Sequence, residues 1–269
     1  MSTNSFSPGQ PKSNGAVLYC SNYWQRRRNE DGPSGKQSAG PVQSIVLEGL
    51  RRDGTLSGKR VLEIGCGNSA LNELLKGVRY TGVDFAPNAI EMAKRRVLEK
   101  RQMLDSNSYS FVVADVTRPL PLNRAAFDIV FSMETLHLLG SKMPMALENI
   151  ARVTKPGGLF IFDIYHINKY ALSASAEKGY KALEFDYGTV LRREANEIEG
   201  QDELVKSSPA QLRLALDRAG FDAPEIRSWG FNESRLHLAK LYPDKIAPEN
   251  IPLTEEEFDH FSIARAIRR

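Results

Sequence analysis

The sequence predicts an α/β fold with a doubly wound, mostly parallel sheet. Apolar runs of strand length alternate with segments of helical periodicity along the chain. The apolar run Val61–Ile64 leads directly into the glycine turn Gly65-Cys66-Gly67. The next apolar run ends in Asp84, nineteen residues after Gly65. A glycine turn and an acidic residue at this spacing predict a nucleotide-like ligand at the carboxyl edge of a parallel sheet.

The glycine turn connects the first strand to a helix. Gly65 and Gly67 allow backbone angles and a close ligand approach that a Cβ would prevent. Asn68 or Ser69 can cap the helix, which we expect over roughly residues 70–76. Such turns also occur without a ligand, so the turn alone is a weak signal. Asp84 strengthens it, although a dinucleotide and an adenosyl ligand fit these residues equally well.

Acidic residues elsewhere favour the adenosyl ligand. Glu63 precedes the glycines, at a position where dinucleotide-binding turns more often carry an apolar residue. Asp115 follows a third strand and can accept a hydrogen bond from an adenine amine. The strands that complete this pattern are predicted at Tyr109–Ala114, Phe127–Ser132 and Leu159–Asp163, the last one entered through a turn at residues 155–158.

Five segments in this order and spacing resemble the class I S-adenosylmethionine (SAM)-dependent methyltransferases of the small-molecule type. They are Glu63–Gly67, Gly82–Asp84, Ala114–Val116, Phe127–Val130 and Lys155–Gly158. The match covers roughly residues 59–164. The resemblance implies a Rossmann-like sheet of seven strands with the last strand antiparallel, an added cap, and SAM as the cofactor.

The resemblance also implies roles for individual residues. The glycine turn would border the methionine part of SAM, Asp84 would hold the ribose, and Phe85 would stack on the adenine. The predicted cofactor-binding residues are Glu63, Gly65, Cys66, Gly67, Asp84, Phe85, Asp115, Val116, Ser132 and Met133. Cys66 also fits a small packing residue.

Catalytic candidates follow the fourth strand, on the rim toward which the methyl group would project. His137 could take a proton from the acceptor, and Glu134 could hold an amine acceptor or orient His137. A packing role for His137 stays open. The predicted substrate-binding residues are Tyr19, Tyr23, Trp24, Tyr165 and His166, although the N-terminal aromatic residues fit core packing as well.

The chain divides into a flexible N-terminal segment and lid at 1–41 and a methyltransferase domain at 42–269, with a cap insertion at about 165–205. Within the insertion we expect a helix at Ala171–Gly179 and extended structure at Phe185–Arg193. Helices are also predicted at Val42–Arg52, Pro87–Lys100, Met143–Val153 and Ser208–Ala219, a short one at Asn232–Leu241, and later strands at Pro224–Phe231 and His260–Ile267.

Composition narrows the function further. The net charge of +3 does not require a nucleic-acid partner, and two cysteines in 269 residues fit a reducing, cytoplasmic compartment. Neither a membrane-spanning run nor a zinc-ligand spacing is evident, so we expect no membrane and no metal. The expected partner is a small-molecule acceptor, and the expected state is a monomer or homodimer. The alternatives are an RNA or protein methyltransferase that uses Arg26–Arg28, and an adenosyl-ligand-binding protein without methyl transfer.

Overall fold

The structure is a computed structural model that describes residues 50, 54, 56–68, 75, 77–99, 109–165, 176, 179–193, 202–222, 224–228 and 261–269. Its strands are β1 (Arg60–Ile64), β2 (Arg79–Asp84), β3 (Tyr109–Val113), β4 (Phe127–Ser132), β5 (Thr154–Tyr165), β6 (Lys181–Phe185), β7 (Gly188–Arg193), β8 (Asp202–Lys206), β9 (Glu225–Ser228) and β10 (Phe261–Ile267). Its helices are α1 (Pro87–Glu99), α2 (Met143–Val153) and α3 (Pro209–Ala219), and a 3₁₀ segment spans Leu136–Lys142.

The main sheet has seven strands in the order β3-β2-β1-β4-β5-β10-β9. Strands β1 to β5 pair in parallel, whereas β10 pairs antiparallel with both β5 and β9. The predicted fold class is therefore confirmed. The strand order reverses its direction between β1 and β4, which is where an open sheet of this kind leaves a crevice at its carboxyl edge.

The central strands are buried on both faces. Leu62 and Ile64 of β1 belong to the cluster on one face of the sheet, and Val61 belongs to the cluster on the other. Helices cover a parallel sheet on both sides, so its strands read as nearly continuous apolar runs. This burial makes the carboxylate of Glu63, in the middle of β1, an exception that needs a buried partner.

Helix α3 begins and ends as its sequence predicts. The Ser208 hydroxyl accepts a hydrogen bond from the Gln211 backbone N–H, and the Gln211 side chain accepts one from the Ser208 N–H. This capping box satisfies backbone donors that no helical carbonyl can reach. Gly220 ends the helix in the left-handed conformation at φ 87°.

Strand β5 is longer than predicted. It begins at Thr154 instead of Leu159, and residues 155–158 form an irregularity within the strand where we predicted a separate turn. The backbone N–H of Gly157 donates to the Arg268 carbonyl, and the Arg268 N–H donates to the Gly158 carbonyl. The bulge is stabilised by these two bonds to a residue distant in sequence, which local sequence patterns do not report.

A second sheet of three antiparallel strands, β6-β7-β8, lies within the predicted insertion. The extended structure predicted over Phe185–Arg193 is present in β7, but the reversal of the chain at Asp186 and Tyr187, between β6 and β7, was not predicted. Strand β8 was not predicted. The second sheet shares a buried cluster with the main sheet. That cluster contains Tyr187, Val190 and Val205 together with Leu62 and Ile64 of β1.

Several predicted elements lie outside the described residues. These are the segment 1–41, the helix after the glycine turn, most of the helices at 42–52 and 171–179, and the whole of residues 229–260. The described part of the chain contains no helix that combines the length and the apolar character needed to cross a bilayer.

Candidate active site

The glycine turn after β1 is shaped by the second strand. The backbone N–H groups of Gly65 and Cys66 both donate to the Val83 carbonyl, at 2.8 and 3.0 Å. Gly65 has φ 70°, and a Cβ there would lie 2.0 Å from the hydroxyl oxygen of Thr135. Glycine is therefore required at 65 for its backbone angle and for the close approach of the segment that follows β4.

Asp84 ties the glycine turn to the end of β2. One of its carboxylate oxygens accepts from the Gly67 N–H and the other from the Ala86 N–H, each at 2.9 Å. Burial raises the pKa of this carboxyl above its ordinary value, and the backbone N–H bonds oppose that rise. Each oxygen has a second lone pair, so Asp84 can shape the turn and still accept a hydrogen bond from a ligand.

Glu63 is a buried acid with a buried partner. It accepts a hydrogen bond from the Tyr80 hydroxyl on the neighbouring strand. Burial is the main cause that raises the pKa of Glu63 to about 8; the Tyr80 bond opposes the rise and the charge of Asp84 adds to it. The carboxyl therefore holds its proton near neutral pH. The sequence did not identify Tyr80, which lies diagonally across from Glu63 in the β1–β2 register.

Cys66 is a packing residue in this structure. Its thiol is buried, and burial, followed by the charges of Asp84 and Glu63, raises its pKa well above the ordinary value. A Cβ at Gly82 would lie 2.8 Å from the Cys66 sulfur, which explains the glycine in the middle of β2. The thiol thus stays protonated and fills the space beneath the turn.

The residues after β3 form a tight turn at the same edge. Asp115 accepts from the backbone N–H and the hydroxyl of Thr117, at 2.9 and 2.7 Å. Val116 is buried, and its carbonyl accepts from the side-chain amide of Asn149. Phe85, just after β2, is partly exposed. The structure thus places the predicted adenine-contacting residues at the ends of adjacent strands β2 and β3.

Of the buried side-chain atoms that make no hydrogen bond with a described residue, two lie at this carboxyl edge. They are the amide nitrogen Nδ2 of Asn68, directly after the glycine turn, and the hydroxyl of Ser132, the last residue of β4. Buried polar groups nearly always have a partner. A polar ligand at the carboxyl edge would provide one, so these atoms fit an amino-acid-bearing cofactor. Ser132 was predicted, whereas Asn68 was considered only as a helix cap.

The segment after β4 is held by a carboxylate that the sequence did not assign to the site. Glu134 has the left-handed φ of 52°, and its backbone N–H donates to Asp163 at the end of β5, at 2.8 Å. Burial raises the pKa of Asp163 to about 7, with the Glu134 N–H opposing and the Glu134 charge adding to that rise. An acidic residue after the buried apolar run of β5 was the available signal.

His137 lies in the 3₁₀ segment, where that segment contacts β8. Burial, followed by the positive charge of Lys206 on β8, lowers the pKa of His137 to about 4. The imidazole is therefore neutral at pH 7 and can accept a proton. Glu134, the other predicted catalytic residue, has an exposed side chain at the same rim.

The second sheet is fastened to this rim by Glu203 of β8. Its carboxylate accepts from the backbone N–H and the hydroxyl of Ser141, at 2.9 and 2.6 Å, and pairs with Arg192 at 2.7 Å. Partial burial alone would raise the pKa of Glu203. The bonds from Ser141 and Arg192 outweigh this effect and lower the pKa below its ordinary value. The insertion is therefore attached to the segment that carries His137.

The predicted substrate-binding residues are not tested by these contacts. Tyr19, Tyr23, Trp24 and His166 lie outside the described residues, as does the run Arg26–Arg28. Only the backbone of Tyr165 is described, at the end of β5.

Comparison with known proteins supports the interpretation of this edge. A family model described as "Methyltransferase domain" matches residues 62–162. A ubiquinone biosynthesis O-methyltransferase of Coxiella burnetii is 31% identical over 129 residues, which are 47% of this chain and 52% of that protein. A phthiotriol/phenolphthiotriol dimycocerosates methyltransferase of Mycobacterium leprae is 31% identical over 173 residues, 60% of each protein. The chain thus spans about half the length of the first of these relatives.

A solved structure extends the similarity to the fold. Phosphoethanolamine N-methyltransferase 2 of Haemonchus contortus, in complex with SAM, superposes with a TM-score of 0.62. The two sequences are 16% identical, and the superposition covers 94% of this chain and 58% of the Haemonchus contortus chain. The fold described above is therefore similar to a fold that is already known.

Proposed function

Because residues 62–162 are a class I SAM-dependent methyltransferase domain, we propose that this protein transfers a methyl group from SAM to an oxygen or nitrogen of a small-molecule acceptor. The observation that carries the proposal is the family match over the segment that contains the glycine turn and the ends of β1, β2 and β4. A hydroxyl oxygen is the favoured atom, because a similar protein from Coxiella burnetii is named an O-methyltransferase.

The cofactor would lie across the ends of β1, β2 and β4. The glycine turn leaves room for it, and the unbonded lone pairs of Asp84 can accept from its ribose hydroxyls. The buried groups of Asn68 and Ser132 can bond its amino-acid part. SAM, when bound, supplies a methyl group on a positively charged sulfur. The residues named above would hold that group in place, and exclusion of water around it would favour the transfer.

His137 would act as the proton acceptor for a hydroxyl. Its low pKa keeps the ring neutral at physiological pH, so it is ready to accept a proton but is a weak base. Positioning of the acceptor would therefore supply more of the rate than proton transfer does. The insertion, fastened through Glu203 and Ser141, would form one wall of the acceptor site.

Ligand-dependent melting tests the cofactor. At a hundred times its dissociation constant, S-adenosylhomocysteine (SAH) should stabilise the protein by about 2.7 kcal/mol and raise the melting temperature by several degrees. NAD serves as the parallel control. A shift with NAD alone would contradict the proposal and return the turn to a dinucleotide site.

Transfer of a labelled methyl group tests the activity. The full chain, incubated with methyl-labelled SAM and a panel of phenols, aliphatic alcohols and amines, should label a small-molecule product. Label that enters RNA or protein instead, with activity that falls steeply as salt is added, would favour the alternative that uses Arg26–Arg28. Tight SAH binding without any labelled product would favour a binding protein.

A further inference from the structure

The amino edge of the main sheet carries a charged pocket, at the end opposite the candidate active site. The pocket has a volume of about 370 Å³ and is lined by the cations Lys59, Arg60, Arg79 and Lys155 and by one acidic residue, Asp128. These residues lie at or near the starts of β1, β2, β4 and β5. Because those strands run parallel, their first residues meet at one edge of the sheet.

Asp128 neutralises only part of this charge. Its carboxylate accepts from the Lys155 ammonium at 2.6 Å and from the Arg60 backbone N–H at 2.8 Å. Partial burial alone would raise the pKa of Asp128. The bonds from Lys155 and Arg60 outweigh this effect and lower the pKa below its ordinary value. The carboxylate is therefore ionised and committed to Lys155.

The other cations act on described residues less directly, since the charge of Lys59 lowers the pKa of Asp128 without a close ion pair. Among the described residues, no ion pair includes Lys59, Arg60 or Arg79. Other arginines are used differently: the guanidinium groups of Arg152 and Arg268 donate to backbone carbonyls and hold loops in place. The pocket thus gathers four cations that, among the described lining residues, face a single carboxylate.

The two pocket arginines are neighbours. Arg60 and Arg79 are direct register partners in the parallel pair β1–β2. Residues directly opposite each other in a sheet project from the same face, so one bound anion can contact both side chains. The guanidinium of Arg60 also lies over the Phe127 ring, 5.6 Å from its centroid, which restricts its motion. A cation that is already held in position loses less entropy when it binds.

We propose that this pocket is a binding site for an anion with two or more phosphoryl groups, such as inorganic tripolyphosphate or the phosphate tail of a nucleotide. Arginine donors arranged as a fork match phosphoryl oxygens. The volume exceeds that of one phosphate, and the described residues that line the pocket include no aromatic ring on which a base could stack. The site would therefore recognise the phosphate chain and not the base. It is separate from the methyl-transfer edge and does not depend on the proposed function.

Calorimetric titration of the full chain with tripolyphosphate at low ionic strength tests the proposal. The double variant Lys59→Gln, Arg79→Gln removes two exposed cations of the pocket. The control Arg124→Gln, Arg213→Gln removes the same charge from exposed arginines outside it. We expect the pocket variant to bind at least about tenfold more weakly, because each lost contact is a charge-assisted one. The control should bind like the unaltered protein.

Two results would overturn the proposal. Equal weakening in both double variants would mean that the anion responds to net charge alone. Undetectable binding of tripolyphosphate at millimolar concentration, with binding of a ten-nucleotide RNA that the pocket variant loses, would assign the pocket to nucleic acid. Titration with ATP separates the sources: ATP and tripolyphosphate should bind alike if only the phosphate chain is recognised. Circular dichroism and SAH binding of both variants show that the fold is kept.

Discussion

Asp163 holds the backbone of Glu134 in a left-handed conformation. The carboxylate at the end of β5 accepts from the Glu134 N–H at 2.8 Å, and Glu134 has φ 52°. That conformation costs an L-residue roughly 1–2 kcal/mol. The hydrogen bond across two strands offsets the cost and fixes the path of the chain between Ser132 and His137, which are both candidate site residues.

Replacing Asp163 should therefore disturb the candidate active site. Asp163→Ala leaves the Glu134 N–H without its acceptor and should lower the free energy of unfolding by about 1–3 kcal/mol. Asp163→Asn keeps an acceptor oxygen and should retain most of the stability. We also expect Asp163→Ala to lower kcat for methyl transfer more than it weakens SAH binding. Urea unfolding, kinetics and SAH titration measure these effects.

Glu134→Gly supplies the control for that prediction. Glycine adopts a positive φ without strain, so the substitution should restore part of the stability lost in Asp163→Ala. If Asp163→Asn loses as much stability as Asp163→Ala, the hydrogen bond to Glu134 is not what Asp163 contributes.

The main sheet was predictable because its signals are local. The buried runs of β1, β4 and β5 and the Ser208–Gln211 capping box each lie within a few consecutive residues. The hairpin β6–β7 was missed because its two turn residues are Asp186 and Tyr187. Two-residue turns usually contain a pair such as Asn-Gly or Asp-Gly, and this turn does not. Glycine follows only at 188, after the turn.

The positions of the candidate cofactor residues were easier to infer from the sequence than the contacts that support them. Asp84 and Ser132 are the last residues of β2 and β4, so their positions can be inferred from the strand pattern alone. The contacts Glu63–Tyr80 and Asp163–Glu134 join residues that are distant in sequence, the first across two strands and the second between β5 and the segment after β4. The first contact depends on the register of β1 and β2, and the second depends on the left-handed backbone angle of Glu134. Neither feature can be inferred from the neighbouring residues in the sequence.

The raised pKa of Glu63 predicts that stability falls as pH rises. The folded protein keeps this proton up to a pKa of about 8, whereas the ordinary value in the unfolded chain is 4.5. The contribution is thus fully present below pH 4.5 and is lost progressively as pH rises through 8. The slope is about 1.4 kcal/mol per pH unit for one group.

Glu63→Gln should flatten this dependence, because glutamine keeps an acceptor for Tyr80 but does not titrate. Urea unfolding at pH values from 5 to 8 measures the slope for both proteins. Asp163→Asn is the comparison. The pKa of Asp163 is about 7, so this substitution should remove only the part of the slope that ends near pH 7. Identical slopes in Glu63→Gln and the unaltered protein would show that Glu63 is ionised.

His137→Ala should lower turnover by ~10²–10⁴-fold if the ring acts as general base, with little change in SAH affinity. The group titrates near pH 4, so activity should not depend on His137 ionisation above about pH 5. A loss below tenfold would leave His137 as a packing residue.

Lys206→Gln tests the same ring without removing it. The positive charge of Lys206 lowers the pKa of His137, so its loss should raise that pKa and move the acidic limb of the pH–rate profile to higher pH. An unmoved limb, together with an active enzyme, would mean that a group other than His137 sets it.

Asp84→Ala should weaken SAH binding by roughly 2–4 kcal/mol, because it removes a charge-assisted acceptor from the predicted ribose site. It also releases the N–H groups of Gly67 and Ala86, so the free energy of unfolding should fall as well. Calorimetry well below the melting temperature separates the two effects. An unchanged dissociation constant would remove Asp84 from the ribose site and leave it as a support of the turn.

Gly65→Ala should abolish SAH binding through a steric contact that a matched glycine lacks. Its Cβ would lie 2.0 Å from the Thr135 hydroxyl oxygen, in a backbone with φ 70°. Gly77 has a similar φ of 78°, and a Cβ there would have no atom of the described residues within 4 Å. Gly77→Ala therefore carries the same backbone cost, roughly 1–2 kcal/mol, without the contact. We expect Gly77→Ala to bind SAH normally and Gly65→Ala to be less stable and to lose binding. Equal behaviour of the two variants would show that the approach of Thr135 to the turn does not shape the cofactor site.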